Sequence, residues 1–210
     1  MLFRLFFQST GVQVNFYKTI RILILKFFPL LLSIILIIIA SFKYYEMRYF
    51  KPHIPYLEKT YIQAKKEENF TEMTKNIIFC LEIPSYHKNN PYAHVAGIVA
   101  RHFVEELIEY KRIGDWHIHN LLWSQLLRYY FDDEELFILF LHLKPFEHGF
   151  GLANSAQYHF KKTIPQLTVE ELVMLLGIAQ SPLYSPSGRA RRIQGIFEKL
   201  EELNCLSDRN

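Results

Sequence analysis

The hydrophobic pattern divides the chain into one continuous apolar block and a longer stretch of helical periodicity. From Phe27 to Phe42 every residue is apolar or small except Pro29, Ser33 and Ser41, and Ile22 to Leu25 extend the run if the Lys26 side chain snorkels. Those 16 core residues rise about 24 Å as a helix, short of a hydrocarbon layer of about 30 Å, so the span recruits its neighbours and is read as a transmembrane helix over 22–45. Tyr44 and Tyr45 stand where an interfacial aromatic belt would. Residues 46–70 read as a connector, with Pro52 and Pro55 followed by the charged run Glu58, Lys59, Lys65, Lys66, Glu67 and Glu68.

Beyond it, apolar spacing predicts a helix over 71–81 and a second over 93–110, with Val95, Ile98, Val99, Phe103, Leu107 and Ile108 inward and Glu105, Glu106 and Glu109 outward. Gly114 breaks the pattern, a third helix is expected over about 118–130, and a fourth over 132–143. The fourth is apolar from Leu136 to Leu143 apart from His142, which marks a helix central in the core or one lying in lipid, and the core is the preferred reading. Thr168 with Glu171 three residues on has the spacing of a capping box, opening a helix whose Val169, Leu172, Val173, Leu175, Leu176 and Ala179 form a wide apolar face. Pro182 and Pro186 keep it from resuming. No strand alternation competes, so the fold class is all-α.

At 210 residues the chain can bury one domain core and carry an appendage. A net charge of +3 is too mild to call for nucleic acid, and suits an anionic membrane surface or a pyrophosphate-bearing lipid. Arg4, Lys18, Arg21 and Lys26 precede the span without acidic company, while Lys43, Arg48 and Lys51 follow it, which favours a cytoplasmic N-terminus (residues 1–21) by a small margin. The long N-terminal region and the lack of a small-x-small site before Tyr44 argue against a cleaved signal peptide. Cys80 and Cys205 read as two unpaired thiols, with pairing in an oxidising compartment as the alternative.

The stretch from Phe146 to Pro186 carries the most specific signature: His148-Gly149-Phe150-Gly151, Ser155-Ala156, His159-Phe160-Lys161-Lys162, Leu167-Thr168-Val169-Glu170-Glu171, Leu176-Gly177, Gln180-Ser181-Pro182 and Tyr184-Ser185-Pro186. In that order these residues resemble the last motif of the family 51 glycosyltransferases, the lipid II polymerases of penicillin-binding proteins and of monofunctional peptidoglycan glycosyltransferases. The resemblance implies a lysozyme-like helical domain over 71–206, anchored by one N-terminal helix and held on the outer side of the cytoplasmic membrane. It also implies lipid-linked peptidoglycan precursor as substrate, other cell-wall synthesis proteins as partners, and a divalent cation as the one cofactor in view.

Transfer from a pyrophosphate-linked donor needs a base for the attacking hydroxyl and cations or amides for the leaving group. The resemblance places the base at Glu82, in Glu82-Ile83-Pro84-Ser85-Tyr86-His87-Lys88-Asn89, where Ile83 replaces the family's aspartate and Asn89 its histidine. Lys161, Lys162, Gly149, Gly151 and His148 fall to substrate binding by the same comparison. Of the next motif only Gly114 survives, and the segment that supplies the second carboxylate is missing, about twenty residues in all by motif spacing. The fourth motif is matched by Asp133 to His142 with its polar tips exchanged. Three readings follow: a divergent transferase working with Glu82 alone, a catalytically inactive scaffold or regulator of cell-wall enzymes, or an unrelated helical membrane protein. Of the nine histidines, His117 and His119 diverge on a helix and only Asp115 accompanies them, so no metal site is expected in the chain. Lys161 and Lys162, with Arg189, Arg191 and Arg192, read as a solvated or head-group-facing basic surface.

Overall fold

The computed structural model describes residues 10–83, 90–110, 112–179, 186–203 and 205. Expectations resting on Ser85, Tyr86 and Asn89, and on Gln180 to Ser185, lie outside the described residues. The chain forms two compact units, one up to Lys51 and one from Pro52 onward.

In the first unit, helix α1 runs Thr10–Tyr45 and contains Pro29. Ser33 Oγ donates to the Pro29 carbonyl at 2.8 Å, a local bond that a helix hydroxyl makes to its preceding turn. Residues 27–40 are exposed on every face, Phe28 at 61% and Ile37 at 64%. Water would penalise such a helix, and a bilayer would not. It is the one helix among the described residues that is long and apolar enough to cross a membrane. Its end is polar: Tyr45 and Tyr49 rings lie 5.1 Å apart, and Glu46 pairs with Lys43 at 2.7 Å and Lys51 at 3.8 Å. A π-helical segment, Glu46–Phe50, and a 3-10 turn, Lys51–His53, follow.

The second unit is mostly helical. Its helices are α2 (Ile54–Glu67), α3 (Glu72–Glu82), α4 (Pro91–Leu107), α5 (Ile113–Tyr130) and α6 (Asp133–Leu143). A hairpin of β1 (Pro145–Phe146) and β2 (Gly149–Phe150) comes next, then α7 (Leu152–Phe160), α8 (Val169–Ala179) and α9 (Pro186–Glu202). The expected helices over 71–81, 93–110, 118–130 and 132–143 correspond to α3 to α6. Gly114 lies inside the first turn of α5 rather than ahead of it. The stretch read as a connector is largely α2, which buries Leu57 and Ala64 and packs on α6. The two-residue strands are the departure from an all-helical pattern.

Helix α6 is the axis of this unit. Leu136 to Leu141 are buried at six successive positions, possible only for a helix enclosed on all sides, and α2, α4, α5 and α7 supply the enclosure. Phe137 takes the Phe70 and Phe79 rings edge-on at 4.9 and 5.1 Å, while Trp123 of α5 is fully buried. The helix starts sharply because Asp132 and Glu135 form a reciprocal capping box. Thr168 and Glu171 do the same for α8.

Helix α9 is held from two sides. At Gly177 of α8 an added Cβ would stand 3.0 Å from Ile193 Cγ1, so the glycine permits the close approach of α8 and α9. On the other side Lys199 Nζ donates to the Leu81 carbonyl at 3.1 Å, and Cys205, just past α9, is disulfide-bonded to Cys80 of α3. The reading of two unpaired thiols is thereby corrected. Spacing of 125 residues hides such a pair, which depends on how α9 returns to α3.

Candidate functional site

Of the residues assigned by resemblance, His148, Gly149 and Gly151 build the hairpin, Lys161 lies near it over Tyr158, and Glu82 reaches it through Lys144. The hairpin is a two-residue turn, Glu147 and His148, with Pro145 opposite Phe150 and Phe146 opposite Gly149. Gly149 (φ +124°) and Gly151 (φ +96°) adopt backbone conformations that side chains disfavour, and the Gly151 N–H closes the loop onto the Lys144 carbonyl at 3.0 Å. Lys144 also reaches the other way: its Nζ stands 3.0 Å from Glu82 Oε2, with side-chain exposures of 8% and 13%. Glu82 and the glycine hairpin, distant in sequence, are thus joined through one lysine. The ammonium lies 5.5 Å over the Phe140 ring as well.

Beneath the hairpin sits Glu68, which sequence reasoning left in a solvated charged run. Its side chain is 1% exposed. Helix α7 begins after Gly151, which has no side chain to cap it, and Glu68 Oε2 accepts the Ala153 N–H at 3.0 Å from 85 residues away. A Cβ on residue 151 would fall 2.8 Å from Glu68 Oε1. Gly151→Ala therefore both strains the backbone and displaces the cap, and we expect a loss of about 2–3 kcal/mol, measured by denaturant unfolding. Serine at the same position should do no better.

Half-buried His142, at the end of α6, lies against this carboxylate. Its Nδ1 is 3.4 Å from Glu67 Oε2 and 3.8 Å from Glu68 Oε1, and neither Nδ1 nor Glu68 Oε1 makes a hydrogen bond. The Glu68 carboxylate, helped by Glu67, holds the imidazole pKa above its ordinary value against the opposing effect of burial. A raised folded-state pKa stabilises fully below the unfolded value of about 6.5, and the gain is lost as pH rises through the folded value. Unfolding midpoints should accordingly fall on going from roughly pH 6 to pH 8, with a shallower fall in His142→Gln.

On the α7 side, the His148 ring packs on Tyr158 with centroids 3.8 Å apart, and Lys161 Nζ lies 5.8 Å over the same tyrosine. Lys161 itself ends α7 in the left-handed conformation. Lys162 Nζ donates to Glu171 Oε1 at 2.6 Å, an interaction that holds the Glu171 carboxyl below its ordinary pKa. Lys162 is therefore engaged at the start of α8.

α2, α4, α6 and the hairpin enclose an open groove of about 910 Å³. Ile98, Val99 and Phe140 give it an apolar floor, and Lys59, Arg101 and Glu105 an exposed charged rim. His142, Pro145 and Phe150 connect it to the hairpin, whereas Glu82 does not line it. On its α4 side the Tyr56 hydroxyl donates to Glu106 Oε1 at 2.6 Å, which raises the tyrosine pKa, and His102 Nε2 stands 3.7 Å from Glu106 Oε2. Such a groove, with Lys59 and Arg101 balanced by Glu105 and Glu106, suits an elongated ligand with polar or charged groups and an apolar face. Sequence gave no sign of it, because α2 had no helical signature and the groove needs α2 as one wall.

Fold and site together define a helical domain following a membrane-length apolar helix, with a polar-rimmed groove beside a glycine hairpin. No protein-family model matches the chain, and no curated protein is significantly similar to it.

Proposed function

We propose that this is a single-pass membrane protein whose helical domain is a lysozyme-like relative of the family 51 glycosyltransferases, retained for binding lipid-linked peptidoglycan precursor without polymerising it. The domain would stand on the outer side of the cytoplasmic membrane, where a disulfide between Cys80 and Cys205 persists. The observation that carries the reading is the Glu82–Lys144 pair. It supports kinship, since the glutamate meets the hairpin of the last motif, and it opposes catalysis, since a base must reach the hydroxyl it deprotonates. Glu82 is half-buried, faces the Lys144 ammonium and does not line the groove. The groove, with Arg101 and Lys59 on its rim, is the surface for a sugar pyrophosphate.

The test is polymerisation of labelled lipid II by the purified full-length protein in detergent, with Glu82→Gln alongside, and lipid II binding measured in parallel. The expected result is no glycan polymer from either protein and saturable binding that weakens in Arg101→Glu. Polymer from wild type alone would make Glu82 a working base and the protein a transferase. Absence of both polymer and binding would remove lipid II from consideration and leave a scaffold for cell-wall enzymes as the reading to pursue.

A further inference from the structure

At the tip of the hairpin, three metal-ligating side chains meet. Glu147 and His148 form the hairpin turn, and His159 lies in the last turn of α7. One ligand atom from each falls within 4.8 Å of the others. From these residues we infer a binding site for a divalent transition-metal ion of the zinc class, independent of the lipid-binding reading.

The donor set selects the metal. Two imidazoles and one carboxylate suit zinc, nickel or copper, whereas magnesium prefers an all-oxygen shell and keeps its waters. The ring arrangement is near what such an ion needs. His148 and His159 centroids are 5.8 Å apart, and two imidazoles on one tetrahedral zinc put their ring centres about 5 Å apart. Ligand atoms in that geometry are about 3.4 Å from one another, so binding draws the three side chains together by about an ångström. His148 and Glu147 are exposed and His159 half-buried, which leaves an entry path.

The surroundings restrict the ligands before any ion arrives. Tyr158 packs on one face of His148. The turn that aims Glu147 and His148 toward α7 is set by the two positive-φ glycines and the bond from Gly151 to Lys144. Three protein ligands leave the fourth position to water or to an anionic oxygen, the arrangement of an open rather than a closed site. Lys161, over Tyr158, adds positive charge nearby, so micromolar rather than tighter affinity is expected. Bound metal would tie the hairpin tip to α7 and so stiffen the wall that offers Pro145 and Phe150 to the groove.

The experiment is calorimetric titration of untagged full-length protein in detergent with Zn²⁺, in the presence of millimolar Mg²⁺. One Zn²⁺ per chain is expected, with affinity reduced about tenfold or more in His148→Ala and in His159→Ala and unchanged in His117→Ala, an exposed histidine on α5. Co²⁺ added to wild type should give the visible bands of a four-coordinate, nitrogen-ligated ion, a readout that needs no variant to fold. Zinc binding undiminished in both histidine variants, no binding at all, or a Co²⁺ spectrum of the fully hydrated ion would each overturn the assignment.

Discussion

Lys144→Met should destabilise the helical domain by about 3 kcal/mol, because it removes the ammonium that faces the half-buried Glu82 carboxylate. Adding Glu82→Leu in the same chain should recover most of the loss, since removing both charges also removes the cost of keeping either from water. Urea unfolding of the single and double variants measures the coupling. The outcome also bears on function. A loss below about 1 kcal/mol for Lys144→Met would mean a pair screened by solvent, with Glu82 open to an incoming hydroxyl, and the transferase reading would regain its footing.

Breaking the Cys80–Cys205 bridge should cost about as much. Closing a loop across 125 residues lowers the entropy of the unfolded chain by an amount worth about 5 kcal/mol in the chain-entropy treatment, and measured losses for native bridges run at about 2–5 kcal/mol. Cys80→Ser with Cys205→Ser should shift the urea midpoint down accordingly, and reductant should act on wild type but not on the double variant. The loss should fall first on α9, which returns to α3 through this bridge and the Lys199 contact with Leu81. An unchanged midpoint would show that α8 packing alone holds α9.

What could be read in the sequence was whatever a short window contains. The capping box at Thr168 and the apolar positions of α3, α4 and α6 are local and appear as expected, while the box at Asp132, equally local, is a finding of the structure. α2 escaped because its buried positions, Leu57 and Ala64, are widely spaced among charges and two prolines precede them. Glu68 was missed for a related reason: in sequence it is one more acid in a charged run, and only the fold places it under Gly151 as the cap of α7. The glycines themselves were legible, but as substrate contacts, whereas their positive φ angles and the space beneath residue 151 give them a structural task. The grouping of Glu147, His148 and His159 depends on a hairpin folding back onto a helix end, which spacing along the chain does not encode. The pairing of Lys162 with Glu171, nine residues on, was likewise not legible from spacing.

The bridge between residues 80 and 205 also governs how the domain responds to proteolysis. It makes most of the domain a covalent ring, so a protease that cuts one peptide bond anywhere between them yields an opened ring and no released fragment. Both cut ends stay tethered at α3 and α9, where refolding is a first-order process. Nicked protein should therefore keep its apparent mass on a denaturing gel until thiol is added.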